Sequence, residues 1–137
     1  MISTKGRYAV RLMIDLALQN SDKPVSLESI AQRQNISKKY LESIVKMLVT
    51  AGLVKGVSGK GGGYSLIRRP EEYTIYDILV VTEGTLSVVA CLEDGAPKCD
   101  GESKCKTLPM WKDFNKTIFD FFKGKSELFH FFDDTEK

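Results

Sequence analysis

The chain has 137 residues, 42% of them hydrophobic and 28% charged, with a formal net charge of +2, the balance of an ordinary soluble globular protein of one compact domain. No apolar run approaches the roughly 20 residues that cross a bilayer, and the opening MISTKGRYAV lacks an apolar stretch with a small-residue cleavage site, so no membrane partner and a cytoplasmic location are expected. Charge divides the chain: residues 1–70 hold 12 Lys and Arg against 4 Asp and Glu, whereas residues 71–137 hold 8 against 14, which points to a basic half that meets a polyanion, the bland alternative being two solvated surfaces that differ by chance.

Residues 7–19 predict a first helix, with Val10, Met13, Ala17 and Leu18 at helical spacing and Leu12 and Leu16 widening the buried face. Asn20 to Pro24 breaks the pattern. Ser26 is a good N-cap for a short helix with Leu27, Ile30 and Ala31 inward, and Asn35-Ile36 make a brief turn. Ser37 caps a third helix to about Ala51, with Leu41, Ile44, Val45 and Leu48 on one face. Gly52 and Leu53 supply the left-handed residue and apolar contact of a Schellman ending. Two short helices joined by such a turn, after a packing helix, fit a helix-turn-helix.

Leu53–Val57 and Tyr64–Ile67 are β-favouring runs flanking Ser58-Gly59-Lys60-Gly61-Gly62-Gly63. A glycine-rich hairpin in this place reads as a wing: glycine lets backbone approach a phosphate closely, and Lys60 puts a charge at the tip. A merely flexible hairpin is the alternative. A phosphate-binding P-loop would need a Lys-Ser/Thr pair leading into a helix, which does not follow.

Thr74 is expected to cap a helix through about Glu83, ended by Gly84, with Leu86–Ala90 a short apolar stretch beyond. Residues 92–106 are polar and aperiodic, and read as a loop. Thr107-Leu108-Pro109 resembles a helix start, with Gly124 as the stop. In that helix Trp111, Phe114, Ile118 and Phe121 form a stripe that Phe119 and Phe122 widen. Little chain remains to bury so many rings, so a dimer interface is expected at Trp111, Phe114, Ile118, Phe121 and Phe122. The segment SELFHFF adds three phenylalanines able to pack over it.

The expected fold class is mainly α with a small β-hairpin wing: a winged helix-turn-helix over residues 1–84, a cysteine-containing loop over 85–106, and a long dimerisation helix with a terminal segment over 107–137. Three cysteines, Cys91, Cys99 and Cys105, all fall in or beside that loop. A secreted disulfide framework would spread its cysteines more widely. Soft thiolates suit iron–sulfur clusters, zinc or copper(I), but zinc sites favour a C-x₂-C spacing that is absent. A transient disulfide acting as a redox switch is the other chemistry these thiols can do, and three ordinary cysteines is the bland reading. No catalytic arrangement is evident, so an enzyme is not expected: His130 reads as a packing residue, and Asp133-Asp134 as solvated.

STKGRYAVRLMIDLAL, then SLESIAQRQNISKKYLESIVKMLVTAGLVKGVSGKGGGYSL, then the three cysteines and the Trp111 helix resemble the family of winged-helix repressors that includes IscR, NsrR and CymR. The resemblance implies a homodimer bound to a palindromic double-stranded DNA operator, with the third helix entering the major groove. Ser37, Lys38, Lys39, Tyr40 and Glu42 then map onto the start of the recognition helix. Lys38 and Lys39 would meet phosphates or guanine edges, and Glu42 would accept from cytosine. The wing, at Ser58, Lys60, Gly61 and Gly62, would touch the minor groove or backbone, as would Lys5 and Arg7 the backbone. The cysteines resemble those of the branch that binds a 2Fe–2S cluster. That branch has a histidine three residues after the third cysteine, where this chain has Leu108, and NsrR-like members use an aspartate where this chain has Arg7. The fourth ligand is therefore open among Asp94, Asp100, Glu102, a small thiol and water. Besides cluster control, thiol-redox control and a protein-interaction module without DNA are the rival readings.

Overall fold

The computed structural model describes residues 2–19 and 21–124; the SELFHFF segment, His130 and Asp133-Asp134 lie outside the described residues. Helix α1 (Thr4–Gln19) is followed by α2 (Leu27–Gln34) and α3 (Lys38–Thr50). A hairpin, β1 (Val54–Val57) and β2 (Gly63–Leu66), leads through a short 3-10 turn to α4 (Ile75–Glu83), and α5 (Leu108–Gly124) ends the described chain. This is the winged helix-turn-helix with a long C-terminal helix that the sequence predicts.

Helix α1 is the hub. From Leu12 to Ala17 every side chain is buried, because α2, α3, α4 and β2 all pack on it. Leu18, expected on the buried face, is instead 54% exposed. Leu16 and Ala17 in the same last turn stay buried, so only the side of the helix end that carries Leu18 is left uncovered. The helix also begins at Thr4 rather than at Arg7, since the Ser3 hydroxyl accepts from Gly6 N at 3.0 Å.

Ser26 Oγ accepts from Ser29 N, Ser37 Oγ accepts from Tyr40 N, and Asn35 takes a left-handed φ of 54° between the two helices. An asparagine tolerates that conformation better than most residues, so the turn is cheap. At the end of α3, Leu53 N bonds Leu48 O and Gly52 N bonds Val49 O, both at 3.0 Å, with Gly52 at φ 78°. These bonds form the expected Schellman ending. Leu41, Ile44, Val45 and Leu48 are buried as their spacing requires.

The strands pair antiparallel with Val54 opposite Leu66 and Val57 opposite Gly63; β1 starts one residue later than expected, and β2 is shifted one residue toward the N-terminus. On the other side of β2, Val25 exchanges two backbone hydrogen bonds with Tyr64, at 2.8 and 2.9 Å, as an isolated antiparallel bridge. A Cβ on Gly63 would lie 2.3 Å from Val25 O, so only glycine permits this approach. Tyr73 anchors the base of the hairpin. Fully buried, its hydroxyl donates to Leu53 O at 2.7 Å and accepts from Ile67 N and Arg68 N at 3.0 Å.

Helix α4 carries a reciprocal capping box between Thr74 and Asp77. Its outer face, with Ile75 and Leu79, joins Leu86, Ile2, Phe119 and Phe122 in a second, smaller cluster on which α5 docks. Phe122 therefore packs within its own chain, as does Phe119, whose ring meets Tyr76 edge-on at 5.7 Å. A helix with no fully buried side chain remains, and Phe114 and Phe121 are 48% and 49% exposed.

Candidate functional site

Helix α3 and its N-cap present Ser37, Lys38, Lys39, Glu42, Ser43 and Lys46 to solvent. Two lysines in the first turn oppose the helix dipole, at a cost of about 0.3–1 kcal/mol each. Helix stability therefore does not explain them. They raise the positive potential at an end where backbone N–H groups already attract anions. Ser37 is occupied as the N-cap. Tyr40, expected to face a ligand, is half-buried, and its ring meets Tyr8 edge-on at 5.6 Å, with the Arg11 guanidinium 5.3 Å above Tyr8. Its main contact is thus the seam between α3 and α1.

The wing tip is open: Ser58, Lys60 and Gly61 are exposed and Gly62 is half-buried. A Cβ at Gly62 would lie 2.1 Å from Val57 O, so the tight return of the hairpin depends on that residue. Between wing and helix runs a groove of about 620 Å³ lined by Glu42, Val45, Lys46, Val49, Ser58 and Tyr64, among others. Lys46 escaped the sequence reading. It follows Glu42 by four residues and Lys39 by seven, so the 3.6-residue period puts all three on one face. Lys5, half-buried, and Arg7, exposed, stand at the start of α1, where Arg7 Nη2 donates to Thr4 Oγ1 at 3.0 Å.

A buried ion pair orients the helix-turn-helix. The Asp15 carboxylate on α1 is 3% exposed and accepts from Arg33 Nη2 at 2.8 Å, from Arg33 Nε and from Gln34 Nε2 at 2.9 Å. This carboxylate raises the Arg33 pKa, chiefly by the hydrogen bond. Arg11 completes the set by donating to the Gln34 side chain and carbonyl. The last turn of α2, which precedes α3, is thereby fixed to the hub. No residue pattern announced this pair, because Asp15 sits inside an otherwise apolar run.

The three thiols are free and exposed, yet they border one cavity of about 250 Å³ with Leu92, Ala96, Pro97, Lys98, Glu102, Leu108 and Lys112. Among the described residues no three His, Cys, Asp or Glu side chains converge as a single metal ion requires. Three soft donors around a wider space fit a polynuclear iron–sulfur group in ligand chemistry, although the thiols do not close on a point. The Cys105 thiol is held below the ordinary thiol range, first by the Thr107 hydroxyl 3.5 Å away and then by backbone N–H groups of Thr107 and Leu108 at the start of α5. The turn bearing Cys91 is tethered too: Ser87 Oγ donates to Leu92 O at 3.1 Å, and Val88 N donates to Asn115 Oδ1 of α5 at 2.9 Å.

Comparison with known proteins agrees with this architecture. The profile of the Rrf2 family, described as an iron-dependent transcriptional regulator, matches residues 2–126. The HTH-type transcriptional regulator IscR of Aliivibrio salmonicida is 38% identical over 125 residues, 91% of this chain and 73% of that one. The HTH-type transcriptional regulator CymR of Bacillus subtilis is 50% identical over 96 residues, 70% of each chain. The solved structure of CymR, the global cysteine regulator of B. subtilis, superposes with a TM-score of 0.76 at 38% identity, covering 93% of this chain and 92% of that one.

Proposed function

Given that the chain belongs to the Rrf2 family of transcriptional regulators, we propose that it is a homodimeric repressor of a palindromic operator, controlled by a 2Fe–2S cluster on Cys91, Cys99 and Cys105. The family consists of regulators rather than enzymes, and its members' names support DNA binding as the output. The input reading rests on one observation, the sharing of a single cavity by all three thiols. When bound, the cluster would supply a redox-active crosslink between the Cys91 turn and the segment carrying Cys99 and Cys105.

The chain's own residues connect this loop to the reading head. Asn115 ties the Cys91 turn to α5, and Leu86 packs between α4 and α5. Glu83, closing α4, accepts from Ser3 N at 2.9 Å and Ser3 Oγ at 2.7 Å. That places a carboxylate at the positive end of α1, one turn from Lys5 and Arg7. Holding the loop in one arrangement thus biases the seat of α4 and α1, and with it the spacing of two recognition helices across the dimer. Linkage then requires different operator affinities for the loaded and stripped forms. Phe114, Ile118 and Phe121, with Trp111, offer the apolar stripe for the partner copy.

Anaerobic reconstitution followed by iron and sulfide analysis and operator titration tests the proposal. Wild type acquires a chromophore and changes affinity, Cys99→Ala does neither, and Phe114→Glu with Phe121→Glu sediments as a monomer. Identical affinities for the loaded and stripped forms refute cluster control. The depressed Cys105 pKa favours a second reading, thiol oxidation. The Cys105 thiolate displaces hydroxide from hydrogen peroxide to give a sulfenic acid, and a second loop thiol attacks that sulfur, releasing water and closing a disulfide. This reading requires operator binding by metal-free protein to respond to peroxide and recover with a reductant.

A further inference from the structure

We infer that Glu102 is the fourth protein ligand at the thiol cavity, its carboxylate completing a site with Cys91, Cys99 and Cys105; the inference rests on the cluster reading above. The sequence left three carboxylates within the loop. Only one of them borders the cavity the three thiols share, and that is Glu102. Asp100 lines an adjoining space together with Cys99 and Glu102, but not the cavity that Cys91 and Cys105 border. Asp94 borders neither.

Backbone geometry fixes Glu102 between two of the thiol residues. Its N–H donates to Cys99 O at 3.1 Å, and its carbonyl accepts from Cys105 N at 3.3 Å, across the 3-10 turn Glu102–Lys104. A loop that gathers Cys99 and Cys105 therefore carries Glu102 with them. Leu108 borders the same cavity as pure hydrocarbon and offers no donor. Lys98 and Lys112 stand at the rim, where two ammonium groups offset the charge of three thiolates and a carboxylate. A hard oxygen ligand among three soft sulfurs makes one iron site more labile than the other, as a sensor needs.

The test uses the full chain, reconstituted anaerobically with iron and sulfide, and reads visible circular dichroism, the electron paramagnetic resonance of the reduced form, and iron release to a chelator. Because Glu102 is exposed, its substitution leaves folding intact, which far-ultraviolet circular dichroism checks. Glu102→Gln is expected to change the resonance and to release iron about tenfold faster or more, the order seen when a metal site loses a supporting group. Glu102→Cys keeps the chromophore with a shifted sulfur-to-iron band, while Asp94→Asn and Asp100→Asn match wild type. A wild-type resonance and release rate in Glu102→Gln, beside a loaded wild type, overturns the ligand alone. No chromophore in wild type overturns the cluster reading and this ligand with it.

Discussion

Arg33→Ala removes the cation from a carboxylate that is 3% exposed while sparing the carboxylate itself. Losing one partner of a fully buried pair costs about 3–5 kcal/mol. Here the Arg33 side chain is 37% exposed, so water enters the vacated space, and Gln34 still donates to Asp15 at 2.9 Å. Those two facts bring the expected loss to about 2–3 kcal/mol, within the range for a buried charged acceptor left short of a donor. For a chain of this size that lowers Tm by roughly 6–15 °C. Thermal and urea melts followed by circular dichroism measure it. Lys116→Ala, which breaks the exposed pair with Asp120 on α5, is the control and should leave the melt unchanged. Replacing both members, Asp15→Leu with Arg33→Leu, should recover part of the loss, because two apolar side chains leave no stranded charge. If Arg33→Ala melts within about 1 °C of wild type, roughly the scatter expected of a surface pair, the ion pair does not hold the helix-turn-helix to α1.

Substituting Lys39→Ala and Lys46→Ala together should flatten the plot of log affinity for operator DNA against log salt by about 0.9 per lost phosphate contact, measured by fluorescence anisotropy; an unchanged slope places neither lysine on the backbone. Tyr73→Phe deletes the buried hydroxyl that serves Leu53 O and the N–H groups of Ile67 and Arg68. About 2 kcal/mol of stability is expected to go, with faster amide exchange at Ile67 and Arg68, and unchanged exchange there would sink the idea that it pins the wing. In metal-free protein, alkylation of Cys105 follows the thiolate fraction. Since hydrogen bonds from Thr107 lower its pKa, the midpoint of the rate against pH falls below the ordinary thiol value, and Thr107→Val moves it upward. Peptide mapping of labelled Cys105 across pH would detect the reverse.

The local chemistry was legible in the chain. Ser26, Ser37 and Thr74 cap helices because a short side-chain oxygen reaches an N–H two or three residues on, and Gly52 ends one because glycine has no Cβ to clash at positive φ. The apolar period of Leu41, Ile44, Val45 and Leu48 placed the buried face of α3, and with it the exposed face carrying Lys39 and Glu42. Such features depend on neighbours within a turn or two, so residue order alone determines them.

What depends on distant partners was decided only when the chain folded. Leu18 is apolar yet exposed while Leu16 and Ala17 beside it are buried, because burial follows from which side of a helix its neighbours cover. Tyr40 turned toward Tyr8, Phe122 toward α4, and Asp15 found Arg33, since each contact joins residues that the sequence keeps 18 or more positions apart. The spacing of Cys91, Cys99 and Cys105 pointed to thiolate chemistry but said nothing of convergence. Tertiary structure placed all three around one cavity, and chose Glu102 over Asp94 and Asp100 as the carboxylate beside them, because a loop's side chains are sorted by its turns rather than by any period in the sequence.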